Sequence, residues 1–344
     1  MTITDESAAP SRRQRRNSGK KKGRWVWITA LVVAGAMLLA ACVAGVYLWR
    51  LSNSFDSQAE RLDSSEIFPQ EENRPADVNE DSKNILLLGS DTRGELEDDI
   101  ADIRGQRADT IMVANIPADR SSVQVMSIMR DNWVEIPGHG QAKINAALAY
   151  GGVPLLVETI EGLIGTRIDH VAIVDFEGFK DITDALGGVT VQNEVAFTKG
   201  EHTFNQGQII LGGEEALTYV RERYAFSDGD YQRARNQQAY IMGVVQKVLS
   251  RDTLTSPGRI ADLVDAVAPY MVTDDGLSSS TAAGIGFSLR NLRSDDIRFF
   301  TSPTNGTGTA GGGQSVVLPD WDSWEQLREA FENDTVAEYE PTGQ

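Results

Sequence analysis

The stretch from Trp25 to Trp49 contains no charged side chain, and no other feature constrains the chain as strongly. A helix needs roughly 20 apolar residues to cross a bilayer, so this run is long enough to span one. Trp25, Trp27, Tyr47 and Trp49 stand at its two ends, where amphipathic rings favour the membrane–water interface. Residues 1–24 carry eight lysines and arginines against Asp5 and Glu6, a net +6; the formal charge of the whole chain is −18, so the remainder holds −24. Basic residues ahead of a span hold that end in the cytoplasm, which puts everything after Arg50 outside the cell. A basic arm can also bind nucleic acid, but one that abuts an apolar span reads as a topology signal, and no nucleic-acid partner is expected. Leu39-Ala40-Ala41-Cys42 resembles a lipoprotein cleavage site, yet the apolar run continues through Val43, Val46 and Leu48. An uncleaved, single-pass anchor is therefore expected. Cys42 is the only cysteine and lies inside the run, so no intramolecular disulfide can form.

Beyond the span, residues 50–82 are polar and without apolar periodicity, and read as a stalk. A domain over 83–318 follows, then an acidic tail, 319–344, with one surface helix expected from Asp320 onward. Ile85-Leu86-Leu87-Leu88-Gly89 is a continuous apolar run ending at glycine, as expected of a strand buried on both faces. Thr110–Ile116 and Val123–Ile128 read as the next two strands, and the acidic stretch 93–106 as an exposed loop. Lys143–Tyr150 and Val153–Ile164 have helical spacing, split by Gly151-Gly152. Val171–Asp175 is strand-like, Phe176–Leu186 helical, Val189–Val191 a strand, and Glu214–Val220 a short helix. Tyr231–Leu249 carries an apolar stripe and predicts a long helix. Ile260–Ala268 and Ser279–Phe287 are further helices, Ile297–Thr301 a last strand, and Gly306–Gly313 a flexible glycine-rich loop. Strands alternating with helices predict an α/β layered domain.

In this acidic domain the arginines gather. Arg221, Arg223, Arg233 and Arg235 lie within 15 residues, with Arg93, Arg107 and Arg130 at strand ends. The guanidinium fork matches phosphate oxygens in pairs; ion pairing with surplus carboxylates is the plainer use of any single one. Arg233 and Gln237 are four apart and share a helix face. Arg221 and Arg223 point the same way only on an extended chain, so the helix from Glu214 should end near Val220. Asp230 is a candidate helix cap. Asp91 follows the first strand and Asp109 immediately precedes the second. If those strands are neighbours, two hard oxygen donors beside arginines suit Mg²⁺ (or Mn²⁺) shared with a pyrophosphate; each aspartate could equally cap its own turn. His139, His170 and His202 lack zinc spacing. Neither a Gly-x-Ser-x-Gly elbow nor a Walker loop is present.

Five segments in order, NILLLGSDTRGE (84–95), RADTIMVANI (107–116), VQVMSIMRDNWVEIPG (123–138), KINAALAYGG (143–152) and LTYVRERYAFSDGDYQRARNQQ (217–238), resemble the motifs of the LytR–CpsA–Psr family. The resemblance implies a three-layer α/β/α domain with a mixed central sheet and an apolar groove for a polyprenyl tail. It implies a metal pair, Asp91 and Asp109, and head-group ligands Arg107, Arg130, Arg221, Arg223 and Arg233, assisted by Gln237. Arg93, Lys143 and Asn145 fall in matching motifs. The implied activity is transfer of a glycan from polyprenyl pyrophosphate to peptidoglycan, with Asp91, Asp109 and Arg130 at the reacting centre. Hydrolysis of the lipid pyrophosphate, or non-catalytic lipid or wall binding, are the rival readings. The actinobacterial residue style points to arabinogalactan as cargo. Two departures stand out: the loop between Asp91 and Asp109 is longer than the family pattern, and Arg233-Ala234-Arg235-Asn236-Gln237-Gln238 replaces the usual Arg-x-x-Arg-Gln-Gln. Arg235 sits about 200° around the helix from Arg233 and should face away.

Overall fold

Leu86 and Leu88 alternate with Ile85 and Leu87, so a strand through them needs apolar cover on both faces. The computed structural model, which describes residues 50, 52–90, 108–248, 250 and 256–341, provides that cover. All elements named below belong to the unit Leu51–Gln344. The basic arm, the span expected at 25–49 and the loop 91–107 fall outside the described residues.

In chain order, β1 (Glu60–Leu62), α1 (Ser64–Ile67), β2 (Lys83–Ser90), β3 (Ala108–Ile116) and β4 (Val123–Ser127) precede a hairpin of β5 (Trp133–Ile136) and β6 (Gly140–Lys143). Next come α2 (Ala146–Ile164), β7 (His170–Asp175), α3 (Phe176–Ala185) and the short strands β8 (Val189–Asn193), β9 (Phe197–Lys199), β10 (His202–Phe204) and β11 (Gly207–Leu211). Helices α4 (Gly213–Arg221), α5 (Asp230–Val248) and α6 (Pro257–Val267) follow. The remaining strands and α-helices among the described residues are β12 (Met271–Asp274), α7 (Ser279–Ser288), β13 (Ile297–Thr301), β14 (Thr304–Ala310), β15 (Gln314–Pro319) and α8 (Trp321–Glu332).

The central sheet has the order β1-β12-β7-β2-β3-β4-β13. It is mixed: β1–β12, β7–β2 and β4–β13 are parallel, the other pairs antiparallel. Period-2 alternation sorts its side chains between two layers. Leu86, Leu88, Ile111, Val113 and Met126 pack with Ile67 of α1, Leu156 and Ile160 of α2, and Leu327 and Phe331 of α8. Ile85, Leu87, Met112, Ala114 and Val125 face Ile241 of α5 and Ile285 of α7. A further cluster around Val189, Phe197, Phe204, Tyr219 and Tyr240 joins α4 and α5 to the β8–β11 region. The three-layer α/β/α architecture with a mixed sheet is thus as expected.

Four local readings are corrected. Residues 50–82 are not only a polar spacer: β1 is the edge strand of the sheet, and Ile67 is fully buried in the core behind a capping box at Asp63. Few apolar residues make these contacts, so no periodicity reveals them. Lys143 is not helical; it closes β6 opposite Trp133, and cross-strand pairing overrides its helical spacing. Gly306–Ala310 is not a loop but part of β14, where Thr304, Thr307 and Thr309 favour extended chain and pair with β15; only Gly311–Gly313 turns. The helix expected in the tail exists, but α8 is no surface appendage, since Trp324, Leu327 and Phe331 are buried. Among the described residues α2 alone is apolar and long enough to span a bilayer, and it is mostly buried in the core.

Gly151-Gly152 splits α2 as expected. Gly152 has φ 70° and ψ −161°, a region essentially closed to residues with a Cβ. Gly152→Ala should therefore cost about 1–3 kcal/mol, read as a lower urea midpoint with an unchanged slope.

Candidate active site

The sheet itself assembles the site. β3 runs against both β2 and β4, so its start lies at the same sheet edge as their ends. The neighbouring strands on which the two-aspartate reading depended are present. At that edge the β2–β3 register shifts: Gly89 pairs with Thr110 and Ser90 with Ala108, leaving Asp109 as the extra residue of a bulge. Bulges re-aim the chain next to functional sites. Asp109 thus has its backbone in β3, but its side chain, together with Asp91, Arg93 and Arg107, lies outside the described residues.

Past β4, Ile128 donates its N–H to the Ile111 carbonyl at 2.8 Å, carrying the chain along the start of β3 to Arg130. The Arg130 carbonyl accepts from the Asn145 N–H at 3.2 Å, so Arg130 and Asn145 are neighbours although 15 residues apart in sequence. Asn145 precedes α2 without a capping hydrogen bond and is buried. Lys143, at the end of β6, pairs with Asp131 at 3.1 Å.

The other wall is the α4–α5 connection. Gln238 of α5 donates to Ser127 Oγ at 2.9 Å, which pins the helix above the end of β4. Helix α4 runs one residue further than expected, through Arg221; Glu222 is extended and leads to Arg223. Asp230 Oδ1 lies 3.4 Å from Arg223 Nη1 and 3.2 Å from Arg233 Nη2, so one carboxylate holds both guanidinium groups. Arg223 also donates to Tyr224 Oη at 2.6 Å. That bond, with the Asp230 charge beside it, raises the arginine's pKa against the opposing effect of burial. Arg233 and Gln237 are both buried one turn apart, and Gln237 Nε2 reaches the Val220 carbonyl at 3.3 Å. Arg235 turns away, as expected, to Glu194 and Asp228.

Glu222 anchors this turn. It is buried, takes a hydrogen bond from Lys199 Nζ at 2.8 Å and another from the Ala225 N–H at 2.9 Å. Burial alone would raise its pKa, but these hydrogen bonds and the Lys199 charge hold it below the usual carboxylate range. A depressed folded-state pKa contributes stability that is present above the unfolded value, roughly 4.3, and is lost as pH falls through the folded one. Glu222→Gln should accordingly flatten the fall in melting temperature as the wild type is taken from pH 5 to pH 3.

Arg130, Lys143, Asn145 and Arg223 line a single cavity of about 540 Å³. Arg233 joins it through Asp230, with Gln237 behind. Arg221 is exposed and does not line this cavity. Sequence reasoning missed Asp131, Trp133, Gln141, Tyr150 and Gln314, which also line it, together with three alanines. A signal existed for Trp133: Trp133-Val134-Glu135-Ile136 alternates and runs into Pro137-Gly138, a strand and turn. Gln314 carried none. It arrives because Val317 of β15 donates its N–H to the Asp131 carbonyl at 2.9 Å.

The cavity is lined by Arg130, Lys143 and Arg223, and a guanidinium fork is the group whose donors match phosphate oxygens in pairs. The LytR_cpsA_psr family profile matches residues 48–333, and the chain belongs to that family. It is similar to the polyisoprenyl-teichoic acid–peptidoglycan teichoic acid transferase TagU of Enterococcus faecalis, with 34% identity over 258 residues, covering 74% of this chain and 80% of that one. The cell wall biosynthesis protein LcpA of Corynebacterium glutamicum is 34% identical over 297 residues, 75% of this chain and 56% of LcpA. The crystal structure of B. subtilis TagV superposes with a TM-score of 0.63 at 24% identity, covering 76% of this chain and 98% of that one, and shares the fold.

Proposed function

We propose that this protein is a phosphotransferase that moves a glycopolymer from polyprenyl pyrophosphate to peptidoglycan. The observation that carries this reading is the convergence of Arg130, Lys143, Asn145 and Arg223 on one cavity, with Arg233 coupled to it through Asp230. The name of the TagU relative, a teichoic acid–peptidoglycan transferase, supports the same reaction class. A sugar hydroxyl of peptidoglycan attacks the glycan-side phosphorus. The new P–O bond forms as the anhydride bond breaks, its electron pair leaves on polyprenyl phosphate, and the hydroxyl proton ends on that released phosphate or in the surrounding water. Charge gathers on the phosphoryl oxygens and the leaving phosphate, where guanidinium groups already oriented by Asp230 stabilise it without rearranging. Water in place of the sugar would hydrolyse the lipid as a side reaction.

Asp91 and Asp109 are proposed to hold Mg²⁺, or Mn²⁺, which would neutralise pyrophosphate charge. The bulge that singles out Asp109 beside the end of β2, and the hard oxygen donors at these two positions, fit such an ion. The polyprenyl tail is assigned to the second face of the sheet. There Ile85, Leu87, Ile241, Ile285 and Leu289 are only partly buried, and α7 has no fully buried residue. The uncharged run 25–49 supports a single-pass anchor with the catalytic domain outside, next to a lipid substrate. Arabinogalactan is the proposed cargo, on the actinobacterial residue style alone.

The test is the full chain in detergent with Mg²⁺, a polyprenyl-pyrophosphate-linked glycan and peptidoglycan fragments. Polyprenyl phosphate should be released in step with phosphodiester-linked glycan on the acceptor. Full activity in Asp109→Ala and Arg130→Ala would overturn the reading. Tight lipid binding without turnover under any divalent ion would replace it with a non-catalytic binder.

A further inference from the structure

A helix without charged side chains belongs in a core or against lipid. Helix α7, Ser279–Ser288, has no charged residue, yet none of its ten residues is buried. Ile285 and, just past the helix, Leu289 lean on the second face of the sheet. Ser280, Ala283, Gly284 and Phe287, spaced i, i+3, i+4 and i+7, form the opposite face, and all four are exposed. Phe287 is the large one, 68% exposed. Arg290 folds back over its ring, 4.2 Å from the centroid, and donates to the Phe287 carbonyl at 2.9 Å. In a chain of net charge −18, the stretch 276–294 holds no carboxylate and carries Arg290 and Arg293.

The topology fixes where this helix lies. β12 ends and β13 begins at the sheet edge where β2 begins, so α7, which joins them, sits at the edge opposite the cavity. The chain enters the unit beside the start of the same helix. Residues 52–58 are helical. Ser52 Oγ lies 2.6 Å from Ser279 Oγ, and Asp56 accepts from the Ser279 N–H at 3.0 Å and from its Oγ at 2.7 Å. Ser54 donates to Asp265 of α6 and ties the segment down further. Only Arg50 and Leu51 separate Ser52 from Trp49, the end of the uncharged run. Even fully extended, that link reaches roughly 10 Å. A bilayer that holds Trp49 therefore has its surface close to the start of α7.

We propose that the outer face of α7 is a membrane-docking surface, seated in the bilayer interface. Phe287 suits the boundary between headgroups and acyl chains, and Arg290 and Arg293 can reach lipid phosphates while their stems stay on apolar surface. The absence of carboxylates from 276–294 removes the repulsion that the rest of this acidic domain would meet at an anionic lipid surface. The groove assigned to the polyprenyl tail then opens on the bilayer beside α7. The cavity, one eight-residue strand away, stands about 26 Å from it. This inference rests on the single-pass anchor proposed above and is independent of the cargo.

The experiment uses the full chain in nanodiscs of phosphatidylcholine and phosphatidylglycerol, with nitroxide-bearing lipid as quencher and a bimane label on one cysteine at a time. Cys42, the only cysteine of the natural chain, reports the uncharged run. Ala283→Cys and Phe287→Cys, each combined with Cys42→Ser, report α7. Glu201→Cys, in the exposed turn between β9 and β10, is the control in the same background. Labels at 283 and 287 should be quenched about threefold or more above the label at 201, as for groups buried at the headgroup–acyl boundary. Quenching at 42, with 283 and 287 no different from 201, overturns the inference and leaves the anchor intact. Labels at 283 and 287 that are shielded from lipid and crosslink two chains would overturn it as well, and give the face to a second copy. No quenching at 42, with that cysteine open to a membrane-impermeant maleimide, removes the anchor. Quenching at 287 then still supports lipid contact by α7, and its absence ends both readings.

Discussion

Arg74→Ala should cost roughly 3–5 kcal/mol of folding stability, the usual consequence of stripping a buried charge of its partner. Glu161 is 1% exposed. Its Oε1 accepts from Arg74 Nη2 at 2.6 Å and from the Ile168 N–H at 2.9 Å, and Arg74 Nε approaches both carboxylate oxygens. Arg74 also donates to the Ile168 carbonyl at 2.7 Å and stacks over Phe68, 4.7 Å from the ring centroid. Without it, a buried carboxylate on α2 keeps only the Ile168 N–H as donor. Arg74→Ala/Glu161→Gln should recover much of the loss, because the uncompensated charge is gone. Urea melts of the three proteins decide the matter. An Arg74→Ala midpoint equal to wild type would mean that residues 50–82 are a spacer after all. By the same reasoning, a chain shortened to begin at Lys83 should fail to fold cooperatively, since it lacks β1, Ile67 and Arg74.

Arg223→Ala should lower transfer about 10²–10³-fold, the typical effect of removing one preorganised donor from developing negative charge. The loss should appear in kcat more than in KM, if the guanidinium acts on the transition state. Arg223→Lys keeps the charge but not the planar fork, and should recover only part of the rate. Asp230→Asn removes no group from the cavity lining, yet it loosens Arg223 and Arg233 together. It should therefore impair transfer too, and adding Arg223→Ala to it should cost less than the two separate losses combined. Kinetics with the lipid-linked donor test this directly. Additive losses would show that Asp230 does not act through Arg223.

Much of the helix and strand pattern was legible beforehand. The apolar runs at 85–89 and 110–116 became β2 and β3 because two-sided burial demands continuous hydrophobicity. The helix after Asp228-Gly229 runs Asp230–Val248 against an expected 231–249, since its stripe and turn residues are local signals. The misread segments are those where pairing, not composition, decides. Gly306–Ala310 looks like a loop until β15 supplies its partner, and Lys143 looks helical until Trp133 lies across from it. The site divides the same way. Arg130, Arg223 and Arg233 stand out in an acidic domain, whereas Asp230 reads as a helix cap. Its hold on two arginines depends on where α5 meets the turn after α4.

The sequence by itself determined the class of this chain. An uncharged run behind a basic arm, β and α periods in alternation, and arginines and aspartates at strand ends are all local properties, written in residue spacing. The tertiary structure alone decided which of those groups meet. Arg130 and Asn145 touch through a backbone bond across the β5–β6 hairpin, and Gln314 reaches the cavity from more than 160 residues beyond the hairpin and Tyr150 that it joins there. Residues 60–74 become part of the core through one strand pairing and one buried ion pair. Such contacts depend on register and packing between distant segments, and no local pattern of residue types records them.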